Sequence, residues 1–167
     1  MEDTYCRPLS LPDLSDLLWS AVGVNRPTGE RTVPFWRHVM AIDLYVALPE
    51  GVWLYEPTRH RLCPYQATDM RALTGSQEFV ARAPVNLIYV ARGSEMQGIT
   101  EVDRRLYASV DAAFSGQNVY LFCAVAGLAT VFRGALDTAR LGHALMLPPH
   151  QFVTFAQSVG YRRDHSL

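Results

Sequence analysis

The hydrophobic pattern changes period several times along the chain, and each change marks an element. Leu14, Leu17, Leu18 and Val22 recur at helical spacing behind Ser10, a residue suited to capping a helix N-terminus. Pro12 in the first turn and Asp13 near the positive end of the dipole support a helix over Leu11–Val22, stopped by Gly23. The following VNRPTGERTVP is loop, rich in turn residues. Ile42, Leu44, Val46 and Leu48 then alternate with Asp43, Tyr45 and Ala47, the period of a half-buried strand. Pro49-Glu50-Gly51 turns the chain, and VWLYE returns as the second strand of a hairpin. PTRHRLCPYQ reads as loop, and ATDMRALTG and SQEFVARA read as short helices. PVNLIYVAR is a third strand, with Pro84 where a strand tolerates proline.

Thr100 to Leu128 predicts one long helix. Its first half is amphipathic, with Glu101, Asp103, Arg104 and Arg105 set against Val102, Leu106 and Val110. From Phe114 onward it is apolar almost all round, relieved by Ser115, Gln117 and Asn118. A helix of that kind must be covered on several sides, and a second copy of the chain is the simplest cover. On such a face Gln117 and Asn118 need partners, which inter-subunit hydrogen bonds supply. ATVFRG is a fourth strand, Asp137 caps a helix ending near Met146, and QFVTFAQSVGY closes the sheet. A hairpin with scattered helices is the α+β class, and 167 residues without a linker or repeat suggest one domain over 1–167.

Composition narrows the function classes. The chain is 49% hydrophobic and 19% charged, with a net charge of −1, so no basic surplus asks for nucleic acid. Its three cysteines have no paired spacing, which fits a reducing cytoplasm better than a disulfide framework. MEDTYCRPLS has no apolar run, so no signal peptide is expected. The longest uncharged apolar stretch, Val119 to Phe132, is short of the ~18 residues that suggest a membrane span. His60 and Cys63 form an H-x-x-C pair, a weak metal signal without a second pair, and no metal is expected. His143 and His150 read as surface, and Cys123, between apolar neighbours, as an inert packed thiol. No Ser-His-Asp, paired-carboxylate or phosphate-loop pattern stands out.

Four pieces of the chain, LSDLLWSAVGVNRPTGERTVP, IDLYVALPEGVWLY, YASVDAAFSGQNVYLFCAVAGLATVFRGALD and VTFAQSVGY, together resemble the nitroreductase-like flavoprotein superfamily. Within it they are most similar to the short bacterial branch related to dehydrogenases that oxidise azoline rings in modified peptides. The resemblance implies an α+β sandwich, with an antiparallel-rich sheet flanked by helices around a long buried helix. It also implies an intertwined homodimer binding FMN at its interface and passing hydride between a nicotinamide and a small molecule.

The same resemblance locates candidate residues. TVFRG matches the strand whose backbone runs along the flavin near N5, which places Phe132, Arg133 and Gly134 there. Arg162 and Arg163 match basic residues that relatives use for the phosphate, or else form a solvated tail. The N-terminal Arg-Arg-Ser-x-Arg-like phosphate segment of relatives is represented only by Arg7. Asn25 and Arg26 match an Asn-Arg pair that faces the site or fixes the loop. The polar flavin loop, Pro-Ser-x-x-Asn-x-Gln in relatives, reads PFWRHVM here, with Phe35, His38 and Met40 in the three polar places.

That rewritten loop leaves two readings open. In one, the protein is an FMN-dependent oxidoreductase whose His38 donates to the flavin or moves a proton. In the other, Phe35 and Trp36 plug the cofactor cavity. The flavin-free protein is then a binding partner, or a non-redox enzyme with His38 as acid or base and Arg37 holding an anion.

Overall fold

The computed structural model describes residues 6–162. Helix α1 spans Leu11–Val22 as the pattern predicts, with the Ser10 hydroxyl accepting from the Asp13 N–H and Gly23 at the C-terminal end. Strands β1 (Ile42–Leu48), β2 (Gly51–Glu56) and β3 (Arg61–Gln66) form a meander. Then come β4 (Val85–Arg92), α2 (Glu101–Ala126), β5 (Leu128–Arg133), α3 (Thr138–Ala144) and β6 (Gln151–Tyr161). All neighbours pair antiparallel in one sheet ordered β3-β2-β1-β4-β6-β5.

Three expectations need correction. PTRHRLCPYQ is not all loop, because its second half forms the edge strand β3. That strand has no fully buried residue and carries Pro64, as edge strands do to discourage further pairing. ATDMRALTG and SQEFVARA form only single 3-10 turns, Arg71–Thr74 and Glu78–Ala81, too short to show a helical period. Lastly, β6 does not close the sheet but lies inside it, between β4 and β5.

The sheet is covered on both faces. Helices α1 and α2 lie on one face, over Leu44, Val46, Leu87 and Tyr89. On the other, Leu141 and Leu145 of the α3 segment pack with Tyr45, Ile88, Val90 and Val153. Within one chain α2 buries a single stripe, including Ala108, Asp111, Ala112, Ser115, Gly116 and Val119. Small residues there let the helix approach closely: a Cβ on Gly116 would sit 2.5 Å from the Phe132 ring. The outward row, Val102, Leu106, Val110, Phe114, Leu121 and Val125, stays exposed, Leu121 at 59% and Val125 at 91%. Among the described residues, no helix is long and apolar enough to cross a membrane.

Candidate functional site

Pro34 to Met40 sits where α2 meets the start of β1. After extended Phe35, residues Trp36–His38 make one 3-10 turn in which Arg37 (φ 48°) and His38 (φ 61°) both adopt left-handed backbone. Each such residue costs about 1 kcal/mol or more, so the turn needs holding in place. Two clamps do so. At the front, the Trp36 N–H donates to both carboxylate oxygens of Asp111 at 3.2 Å, and the Trp36 ring stacks on Tyr107 at 6.0 Å. Behind it, the Arg92 guanidinium donates to the Met40 carbonyl and pairs with Asp43.

This arrangement separates the aromatics from the polar tips. Trp36 packs against the main core, whereas half-buried Phe35 lies under the Arg31 guanidinium, 5.5 Å from its ring centre. Arg37 and His38 are exposed, Arg37 covering the Trp36 ring at 4.9 Å. His38 opens onto a cleft of about 550 Å³ shared with Arg26, Thr28, Arg31, Phe35 and Met40. The Asn25 side chain meets Thr32 and Arg26, so this pair stabilises the loop before Arg31.

The other candidates lie along β5 and at the end of β6. Phe132 packs against Tyr89 and Phe155, and its N–H donates to the Tyr120 hydroxyl at 2.9 Å. Arg133, 4% exposed, turns its side chain into the protein and donates to Thr74 O, Asn86 Oδ1 and Ser158 Oγ. Gly134 follows at the surface. Arg162 is exposed and its Nε donates to Leu128 O at 3.3 Å, while Arg7 lays its guanidinium 4.1 Å over the adjoining Tyr161 ring. Two exposed guanidinium groups therefore flank Tyr161. Arg163 lies outside the described residues.

One chain does not bring these groups together. Trp36 docks at Tyr107 and Asp111, whereas Arg162 meets Leu128, just past the end of α2. From Asp111 to the helix end is roughly 20 Å at 1.5 Å per residue.

Antiparallel sheet, long central helix and clamped loop are accompanied by a match to the nitroreductase family over residues 7–161. The chain belongs to that family. A nitroreductase-type protein of Methanocaldococcus jannaschii is 33% identical over 142 residues, 78% of this chain and 72% of its own. The crystal structure of a nitroreductase-type protein from Ralstonia eutropha has a TM-score of 0.89 at 39% identity, over 95% of this chain and 76% of that one. The E. coli microcin synthetase McbBCD complex, with truncated pro-MccB17 bound, shares the fold at TM-score 0.81 and 17% identity. That match covers 95% of this chain and 66% of the microcin synthetase chain.

Set in the nitroreductase family, the loop's main anchor is a residue the sequence reading did not single out. Asp111 is 3% exposed, and burial pushes its carboxyl up to about 6 against the opposing pull of the Trp36 N–H. The signal was available: Asp111 is an acid in SVDAAFSG, on the small-residue stripe of α2. Elsewhere, the Ser15 hydroxyl and Tyr55 Oη take up the two ring nitrogens of His60, at 2.7 Å each. The Cys63 thiol approaches Glu56 at 3.6 Å, and burial pushes the Cys123 thiol up to about 12.

Proposed function

We propose that the protein is an FMN-dependent oxidoreductase of nitroreductase type, acting on a small organic molecule as a homodimer. The observation that carries this reading is the pair of exposed guanidinium groups, Arg7 and Arg162, around Tyr161. Guanidinium forks match phosphate oxygens, which suits these two to a phosphate. The residues fit the group: Arg7 and Arg162 would hold the phosphate, the backbone around Gly134 and the exposed His38 the ring. Bound there, FMN supplies two-electron hydride chemistry. The chain's own part is to hold the loop rigid through Asp111 and Arg92, and to offer His38 as proton donor at the cleft.

The second copy follows from two facts. The loop and the Arg162 end stand roughly 20 Å apart along one α2, and the outward row of α2 is apolar and uncovered. A partner packed along that row would bring its own β5 and Arg162 towards this chain's loop. Leu121→Glu with Val125→Glu is expected to convert a dimer to monomers in sedimentation velocity and to release flavin with it. A double variant that stays dimeric would place the interface elsewhere.

The direct test is a visible spectrum of the purified protein before and after FMN is added and the excess removed. A retained flavin band near one FMN per chain is expected. Arg7→Gln with Arg162→Gln should weaken FMN by about 10- to 100-fold, the loss of charge-assisted hydrogen bonds to phosphate. A colourless protein that refuses FMN would favour the flavin-free reading, with Trp36 as part of the core.

A further inference from the structure

The sheet contains a fork. The β1–β2 ladder runs from Leu48↔Gly51 only to Tyr45↔Leu54. Beyond that point β1 keeps its pairing with β4 down to Ile42, and β2 keeps its pairing with β3 out to Glu56. Ile42–Leu44 and Tyr55–Glu56 therefore splay apart, and a cleft of about 430 Å³ opens between them. Its walls are largely apolar, from Met40, Ile42, Leu44, Leu54 and Pro57.

Charges at the fork are balanced, with one exception. Asp43 is held by Arg92, which also takes Glu95 and the Met40 carbonyl. Glu56 accepts from Arg61 Nε at 2.6 Å and has Arg59 at 3.3 Å. The Tyr55 hydroxyl is engaged with His60. Arg31 forms no ion pair among the described residues, although it is half-buried and its Nε is shut from water without an acceptor. It lines both this cleft and the loop cleft, so it stands where the two meet. Burial holds its guanidinium down at about 10, with Arg92 acting the same way and Tyr55 and Asp43 pulling against it.

We propose that the fork between β1 and β2 is a binding site for a small carboxylate with an apolar body, its carboxylate received by Arg31. A guanidinium takes a planar carboxylate in two parallel hydrogen bonds, and apolar walls suit an aromatic or aliphatic remainder. A phosphate fits less well: Asp43 and Glu56 flank the site, and a single unpaired guanidinium balances one charge, not two. Arg7, Arg162, Gly134 and His38, proposed above for phosphate and ring, do not line this cleft, although Arg31 and Met40 also line the loop cleft beside it.

The test is calorimetric titration of phenylacetate into the full chain, with and without added FMN. One saturable site per chain is expected, with the same affinity in both samples. Arg31→Gln should weaken it by about tenfold or more. Arg140→Gln, an exposed change on α3, should leave it unaltered. Phenylacetamide, the neutral isostere, should fail to compete, a result that stands even if Arg31→Gln does not fold. Absence of saturable binding, unchanged affinity in Arg31→Gln, or equal binding of the amide would each overturn the proposal. Displacement of the acid by FMN would overturn it too, by placing the acid in the flavin's own site.

Discussion

Replacing Arg133 with leucine is expected to lower the unfolding free energy by about 3–5 kcal/mol, read from urea denaturation. The guanidinium links four segments. Nη1 donates to Thr74 O at 2.6 Å, and Nη2 reaches Asn86 Oδ1 at 3.2 Å and Ser158 Oγ at 2.9 Å. Asn86 in turn donates to Val80 O at 2.8 Å, so the turns at Arg71–Thr74 and Glu78–Ala81 are tied to β4, β5 and β6 through Arg133 and Asn86 together. Leucine fills part of the volume but removes three charge-assisted hydrogen bonds and leaves the buried Thr74 carbonyl without that donor, while Asn86 Oδ1 still accepts from the Ser158 hydroxyl; an unpaired buried acceptor alone costs about 1–3 kcal/mol. Gly75→Ala should act in the same direction, because its Cβ would lie 2.0 Å from Arg133 Nη1. A loss under about 1 kcal/mol in both variants would show that the network is not stabilising.

Asp111→Asn is expected to raise stability near neutral pH by up to about 3 kcal/mol and to flatten its pH dependence between about 4 and 6. In the folded protein burial raises this carboxyl from 3.8 to about 6. Between those values the native state holds a proton that the unfolded chain has released. Stability therefore falls as pH rises through the window, by about 1.4 kcal/mol per unit of difference, and stays low above it. Asparagine removes the ionisation and keeps an oxygen for the Trp36 N–H. Unfolding of both proteins by urea at pH 4, 5, 6 and 7 measures the effect, and parallel pH curves would contradict it. Asp111→Leu separates the two roles. It also removes the ionisation but leaves Trp36 N–H without its acceptor, so hydrogen exchange at residues 36–38 should quicken.

Where the chain has strong periodicity, the sequence was sufficient. The bounds of α1 and β1 follow from Ser10, Gly23 and the alternation of Ile42 to Leu48. Strand β3 escaped because an edge strand with no fully buried position need not alternate, and Pro57 and Pro64 argue for loop. Site residues divide in the same way. His38 and Arg37 stand out as polar intrusions in a loop, and the structure leaves both exposed. Arg133 could be located on its strand but not turned inward, because its partners come from residues 74, 86 and 158. Asp111 is visible locally as an acid on a stripe of small residues, but its partner Trp36 lies 75 residues away; Arg31 matters through what it fails to touch beside a splayed ladder, and no local pattern carries that.

The position of β6 sets an order on folding. It follows every other strand in the chain, yet it pairs with β4 on one side and with β5 on the other. During synthesis, Leu128–Arg133 emerges before β6, its partner among the described strands, and β4 waits with one edge bare. The sheet cannot be completed from its N-terminal part outward; its last-made strand has to enter the middle. Such non-local pairing predicts slow folding and a half-formed state with an open strand edge and an uncovered α2, the species most prone to aggregate when it accumulates.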